Sequence, residues 1–465
     1  MSKYLYVTGL ALMAMACRVG KDYSRPGMDL PSTYKGFSLD TNNIAVIPVQ
    51  AFIKDHTLQQ LVDSALHRNF DIRVALQNIA SASHSLKAAR MGNLPDVNMS
   101  VTATRTWNSK NSLNGSLADQ LTKTSYLDDY NAGLSLSWEL MSWGKISRLK
   151  EAALADYLQT TEASRAVQTR VISEVAQGYY NLLMLDTQQE VAQRNIELTD
   201  STLQMMQLQF NSGIITNLAL EQTAAQLHAA QALVPQIMQQ ITIQENALKL
   251  LTGEMPGGVL RTKLQRLEAD TLPVAGIPAQ LLQHRPDVHA AELALKAANA
   301  RAGVAQSALY PALTITASFG ANSFKPDTWF DLPGSLYKTI GAGITQPIFQ
   351  RGKLKAEWEI AKVAVETNTI EFQRSVVTAV QEVSNALAKV EQLKAQYAYT
   401  SQRVARLQEA KQSAYLLFRN GMANYLEVIT AQSNALQSEL DLAAVKRDQL
   451  NATVELYKAL GGGWK

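Results

Sequence analysis

The stretch that decides the fold is Tyr415-Leu-Leu-Phe-Arg-Asn-Gly-Met-Ala-Asn-Tyr-Leu-Glu-Val-Ile-Thr-Ala-Gln432. Gly421 lies between two runs suited to long helices, so the stretch is predicted to be a tight reversal. Upstream, residues 354 to 420 hold neither proline nor glycine, and at ~1.5 Å per residue such a helix is roughly 100 Å long. Few globular domains can house it. Downstream, Asn424 can cap a second helix whose apolar positions run through Leu426, Ile429, Leu436 and Leu440. The hairpin is expected to have a free tip.

The same hairpin occurs earlier. Phe210-Asn-Ser-Gly213 matches Phe418-Arg-Asn-Gly421, and Trp143-Gly-Lys145 matches Arg351-Gly-Lys353, both at an offset of 208 residues. Nearer the N-terminus the offset is 216, pairing Asp71 with Asp287 and Leu94-Pro95 with Tyr310-Pro311. The chain is a tandem duplication whose first copy carries a longer loop between about 97 and 140. A duplication of long hairpins shares one body, which overrides the domain count that 465 residues would suggest.

A 3.5-residue spacing runs down both long helices. In the first copy it collects Val171, Val175, Gly178, Leu182, Leu185, Ala192, Ile196, Leu203, Met206 and Phe210, with Gln168, Gln189 and Thr199 as polar exceptions. In the second it collects Val376, Ala379, Val383, Ala386, Val390, Leu393, Tyr397, Val404, Leu407, Ala414 and Phe418, with Thr400 and Lys411 as polar exceptions. A seam kept in both copies predicts coiled-coil packing. Pro235 is expected to kink the first return helix, which has no counterpart in the second copy.

Ahead of each long helix the period changes from 3.6 to 2. Val97, Met99, Val101 and Ala103 alternate with polar residues, and so do Tyr130, Ala132, Leu134, Leu136, Trp138 and Leu140. The second copy repeats the pair with Leu313, Ile315, Ala317 and Phe319, then Ile340, Ala342, Ile344 and Ile348. Strands are predicted at about 97–107, 130–140, 312–321 and 338–348, with a polar loop over 108–129. Their length suits tilted transmembrane strands, and Trp107, Tyr130 and Trp138 suit an aromatic girdle. A half-buried soluble sheet alternates identically. If lipid surrounds them, four strands cannot close and open edges are not tolerated, so several chains must share the barrel.

The N-terminus supports the membrane reading. Lys3, an apolar run from Tyr4 to Met15 and Ala14-Met-Ala-Cys17 read as a secretory signal over 1–16, with Cys17 as the lipidation site. An ordinary signal peptide with an incidental cysteine is the alternative. Residues 17–57, with Pro26, Pro31 and Pro48, are expected to be an extended tether. The first repeat then covers 58–255, an irregular crossing 256–278, and the second repeat 279–465 with its long helix over 354–419. Net charge of +3 gives no reason to expect nucleic acid, and a lone cysteine permits no internal disulfide. His284 and His289, five apart, fall on different helix faces and suit packing or surface roles rather than metal. Trp143-Gly144-Lys145-Ile146 lacks the rest of a phosphate loop, and no hydrolase or metalloprotease motif occurs. No enzyme activity and no cofactor are expected.

Cys17-Arg-Val-Gly-Lys-Asp-Tyr-Ser-Arg-Pro26 resembles the mature N-terminus of TolC-like outer-membrane factors of the NodT type, the outer-membrane efflux lipoproteins of tripartite pumps. Phe418-x-x-Gly421-x-x-x-Tyr-Leu-Glu-Val428, Arg285-Pro-Asp287 with Ala291-Glu292, and Leu460-Gly-Gly-Gly-Trp464 resemble the same family. The resemblance implies a mainly α fold with a small transmembrane β part. Long helical hairpins would form an α-barrel, and four strands per chain would join a twelve-stranded β-barrel in a homotrimer. It further implies a lipid-anchored protein of the cell outer membrane, extending into the periplasm and passing small amphiphilic compounds or drugs passively. Its partners would be a periplasmic adaptor protein and an inner-membrane transporter of the resistance-nodulation-division class. Gly213, Gly421, Tyr425 and Leu426 would mark the tip turns and adaptor contact. Glu427 would be the periplasmic gate, against the alternative of a solvated helix residue. An exit duct for type I protein secretion and a structural coiled-coil lipoprotein without a pore are competing readings.

Overall fold

The structure is a computed structural model that describes residues 19–29, 31, 33, 44–109, 111–122, 124–268, 278 and 281–464. Cys17 and the signal segment lie outside the described residues, as does most of 269–280 in the inter-repeat crossing. A 3-10 turn at Ile44–Val46 and a one-turn helix at Val49–Phe52 precede α1 (His56–Arg68) and α2 (Phe70–Met91). There follow β1 (Asp96–Thr106), α3 (Leu113–Thr122), β2 (Leu127–Met141), α4 (Lys145–Asn211) and α5 (Asn217–Leu251). The second copy comprises α6 (Pro286–Ser307), β3 (Ala312–Ser323), β4 (Leu336–Thr345), α7 (Lys353–Arg419) and α8 (Tyr425–Ala459).

The duplication holds to the residue. Helices α4 and α7 each have 67 residues and begin 208 positions apart. Helices α5 and α8 each have 35 residues at the same offset. The longer first-copy loop is the β1–β2 connection over 107–126, against 324–335 in the second copy. That connection is not simply a polar loop, because Leu113–Thr122 folds as α3. The long helices begin after two successive left-handed residues, Trp143 (φ 50°) with Gly144 and Arg351 (φ 52°) with Gly352. A bulky side chain at such φ is strained, so the identical turn in both copies is imposed by the strand-to-helix reversal.

One expectation needs correction. Residues 44–53 are not an extended tether: Val49 and Ile53 are buried, and the Phe52 ring stacks on Tyr457 at 4.0 Å. Apolar side chains at one-turn spacing found a core to enter. Helix α5 runs through Pro235 without a break, from Asn217 to Leu251. Leu227, Ala230, Ile237 and Ile241 bury on both sides of the proline, and that packing outweighs one missing backbone bond.

The chain divides into two compact units. The first takes described residues from 1–26, 81–158 and 293–370 and holds the four-stranded antiparallel sheet, in order β1-β2-β3-β4. The second takes those from 27–80, 159–292 and 371–465. Its core gathers Leu58, Val62, Val171, Val175, Tyr179, Leu182, Leu248 and Val454. Along α7, the half-buried positions between 390 and 414 are Val390, Leu393, Tyr397, Thr400, Val404, Leu407, Lys411 and Ala414, with exposed residues between them. The 3.5-residue seam, polar exceptions included, is the packed line.

The two repeat junctions solve one problem twice. Gly253 and Gly461 have positive φ, and a Cβ on either would lie 2.5 Å from a backbone oxygen, of Arg68 and His284 respectively. In the first copy Asn69 Nδ2 donates to the Leu251 carbonyl at 2.9 Å, while Arg170 pairs with Asp71 at 2.8 Å. In the second copy Arg285 does both tasks. It donates to the Ala459 carbonyl at 3.0 Å, to both oxygens of Asp287, and to Glu382 at 2.6 Å. Burial works against the Asp287 carboxylate, but the Arg285 hydrogen bond and charge outweigh it and hold Asp287 below its usual range. His289 donates from Nε2 to the Leu282 carbonyl at 2.7 Å, a packing role.

Candidate functional site: an apolar sheet face and the helical tips

Antiparallel register places like residues opposite one another. Met99 faces Leu134 and Leu134 faces Phe319; Val97 faces Leu136, and Ala317 faces Ile340. The four alternating strands thus merge into one continuous apolar face. Leu134, Phe319, Ile340 and Ile344 stand exposed on it, Ile340 at 84%. The opposite face carries Ser100, Thr102, Ser135, Ser137, Thr314, Thr316 and Thr339, with Tyr337 donating to Asn131 at 3.2 Å. Among the described residues both outer strands, β1 and β4, keep an unpaired edge.

Tyr130 and Trp138 share the apolar face and lie eight residues apart on β2. At ~3.3 Å per residue they are about 26 Å apart along the strand, or about 20 Å of membrane normal at a ~40° tilt, close to the band height of outer-membrane barrels. Trp138 Nε1 donates to the Asn93 carbonyl at 2.8 Å. Trp107 lies one residue beyond β1, where it is 68% exposed and tilts against Tyr126. Ile348 likewise falls beyond β4 and is exposed.

Sequence reasoning missed two residues here. Trp329, in the β3–β4 connection, packs on Tyr130 with ring centroids 5.4 Å apart and donates to the Ala321 carbonyl. Lys338 sits opposite Phe319 on the apolar face near that same connection, where a long stem lets an ammonium reach water. The first lies in a loop and has no period to betray it. The second breaks the alternation and could have been noticed.

In the second unit the chain reverses at Gly213 and Gly421, each at φ 72° with open space where a Cβ would be. The turns share one hydrogen-bond scheme: Gly421 N–H donates to Phe418 O and Met422 N–H to Leu417 O, mirrored by Gly213 to Phe210 and Ile214 to Gln209. Both bonds are those of a Schellman turn, in which a left-handed residue closes the helix. Thr216 and Asn424 then cap the return helices by accepting from Ala219 N–H and Glu427 N–H.

The tips are tied to each other. Met206, Phe418 and Val428 form a small buried core, flanked by Ile215, Leu220 and Tyr425. The Tyr425 hydroxyl donates to Gln222 at 2.7 Å, and the buried Gln432 donates to Thr202 at 2.9 Å. Tyr425 is thus half-buried, whereas Leu426 is 51% exposed and Glu427 is exposed, accepting from Asn424 Nδ2 at 3.3 Å. Higher up, Glu439 on α8 accepts from Arg194 on α4 and from Gln408 on α7, at 3.4 and 3.1 Å. Among the described residues no group of acidic, histidine or cysteine side chains could hold a metal ion, and no helix is long and apolar enough to cross a membrane.

Several known proteins share this arrangement. The solvent efflux pump outer membrane protein SrpC of Pseudomonas putida is 32% identical over 97% of this chain and 97% of its own length. The cation efflux system protein CusC of Escherichia coli K12 is 27% identical over 98% of both chains. Among solved structures, CusC superposes with a TM-score of 0.83 at 26% identity, covering 96% of this chain and all of the other. The open-state MtrE outer membrane channel of Neisseria gonorrhoeae gives 0.83 at 26% identity, covering 97% and 99%. The model of the outer membrane efflux protein family matches residues 61–254 and 277–462, one segment for each repeat. With paired strands, matched hairpins and both segments accounted for, the chain belongs to the outer membrane efflux protein family.

Proposed function

We propose that the chain is one protomer of the outer-membrane exit duct of a tripartite efflux pump, a passive homotrimeric channel for small amphiphilic compounds or drugs. The sheet carries this reading: its apolar face is sized for a bilayer, and its two open edges must pair with other chains before lipid can surround it. Three copies supply twelve strands and leave a lumen, whereas two supply eight and fill it with side chains. The chain holds no energy-coupling motif, so a periplasmic adaptor and an inner-membrane transporter of the resistance-nodulation-division class supply the drive. The exposed turns around Gly213, Gly421 and Leu426 suit the adaptor contact. Cys17 is the acylated residue.

Discrete conductance steps in planar bilayers test the channel; a trimer that never conducts would refute it. Co-purification with a proton-driven transporter supports efflux, and with an ATP-driven exporter of proteins supports secretion. Glu427 narrows the tip with one carboxylate per chain. Glu427→Gln is expected to lower cation selectivity severalfold, and unchanged conductance with unchanged selectivity removes it from the gate.

A further inference from the structure

The largest fully buried side chain of the described residues is an arginine that none of the foregoing uses. Arg148, in the first turn of α4, is 1% exposed. Its Nη2 donates to the Gly20 carbonyl at 2.8 Å and pairs with Asp22 at 3.0 Å; Nε reaches the Val19 carbonyl at 3.4 Å, and Nη1 bonds Glu151 at 2.9 Å. The segment it grips lies along one stripe of α6. A Cβ on Gly20 would lie 2.8 Å from the Gly303 Cα, Asn299 Nδ2 donates to the Lys21 carbonyl at 3.0 Å, and the Lys296 ammonium stands over the Tyr23 ring at 5.1 Å. Steps of four and three residues follow one helix face. A Cβ on Gly303 would lie 3.0–3.1 Å from three atoms of Arg148, so the groove exists because position 303 has no side chain.

The duplication makes this groove informative. At the equivalent positions of the other copy, Arg148 is replaced by Ala356, and Gly303, Asn299 and Lys296 by Lys87, Ser83 and Ala80. The repeats agree in helix length and turn geometry, yet they part at every residue that receives the N-terminal segment. Val19 N–H further donates to the Trp143 carbonyl at 3.1 Å, in the strained turn that follows β2.

We propose that residues 19–23 form a strap latched to α6 by Arg148, and that the latch sets where the acylated Cys17 leaves the protein. Cys17 lies two residue steps before Val19, a reach of at most about 7 Å, so the acyl chains enter the bilayer beside the turn at Trp143. Arg148 is then a positioning residue for the anchor. The strap stands on its own contacts; the placement of the anchor rests on the lipoprotein reading above.

Trypsin reads the strap at the Lys21–Asp22 bond of the full-length protein in detergent, with cleavage at Arg419 as an internal control. Arg148→Ala loses two charge-assisted carbonyl bonds, so cleavage at Lys21 accelerates at least about thirtyfold while Arg419 is cut as before. Asn299→Ala removes one exposed partner, leaves the fold intact and accelerates it about fivefold. Cys17→Ala leaves the parent rate. Equal rates in the parent and Asn299→Ala overturn the strap, and so does a Cys17→Ala rate matching Arg148→Ala, which would mean that acyl chains alone hold the segment. Labelling with a photoactivatable palmitate separates the second half: crosslinks cluster around Trp143 in the parent and scatter in Arg148→Ala. A parent that takes no palmitate, or crosslinks equally focused in both, overturns the anchor placement without touching the strap.

Discussion

Arg285 should be replaceable by the arrangement that the first repeat already uses. Arg285→Ala removes a charge-assisted bond to the Ala459 carbonyl and the pairings with Asp287 and Glu382. Loss of one partner of a fully buried ion pair costs ~3–5 kcal/mol. Asp287 and Glu382 are each 47% exposed, so water takes them back and the cost falls to about 3 kcal/mol. Arg285→Asn restores the carbonyl bond as Asn69 makes it, and lowers the cost to about 2 kcal/mol. Adding Thr378→Arg, at the position of Arg170, returns an exposed pair worth about 0.5 kcal/mol. Apparent midpoints of helical circular dichroism in guanidinium, measured in one detergent, should rank parent, Arg285→Asn/Thr378→Arg, Arg285→Asn and Arg285→Ala in falling order. If Arg285→Asn is no better than Arg285→Ala, the carbonyl bond is not what the two junctions share. If Thr378→Arg recovers nothing, the first repeat's ion pair is not a substitute for the second's.

Two further outcomes are expected. Gly421→Ala meets open space and incurs only left-handed strain of about 1 kcal/mol, whereas Gly461→Ala must also displace the His284 carbonyl; thermal midpoints at one scan rate should drop clearly further for Gly461→Ala, and equal drops would refute the close-approach reading. Burial pushes the Tyr457 hydroxyl up to about 12 from 10.0. Its neutral form therefore stabilises the fold fully below pH 10, and that stability is lost as pH rises through about 12. Tyr457→Phe should flatten the alkaline decline of the midpoint between those values, and an unchanged decline would place it elsewhere.

What the sequence disclosed was what repeats. The seam from Val390 to Ala414, the offsets of 208 and 216 and the alternation through Leu134 and Leu136 all follow from local periods, and the structure keeps each of them. Contacts between distant residues carry no period. Nothing near Arg148 announces Val19, 129 positions away, and nothing near Arg285 announces Glu382 or the Ala459 carbonyl. Phe52 could be read as part of a tether because its partner Tyr457 lies on the last helix. At the tips, Gly213 and Gly421 were legible as turns, but the bond from Tyr425 to Gln222 joins two repeats whose proximity no single segment encodes.

Equal helix lengths in the two repeats have an evolutionary consequence. From the turn at Gly144 to that at Gly213, and from Gly352 to Gly421, the chain counts off the same number of residues. Deleting a single helical turn from one repeat would withdraw that hairpin's end by about 5 Å and strand Met206 away from Phe418 and Val428. A change in helix length is therefore expected to need the same change in both halves, like two legs of one table trimmed to stay level, whereas the connections between strands already differ, 107–126 against 324–335.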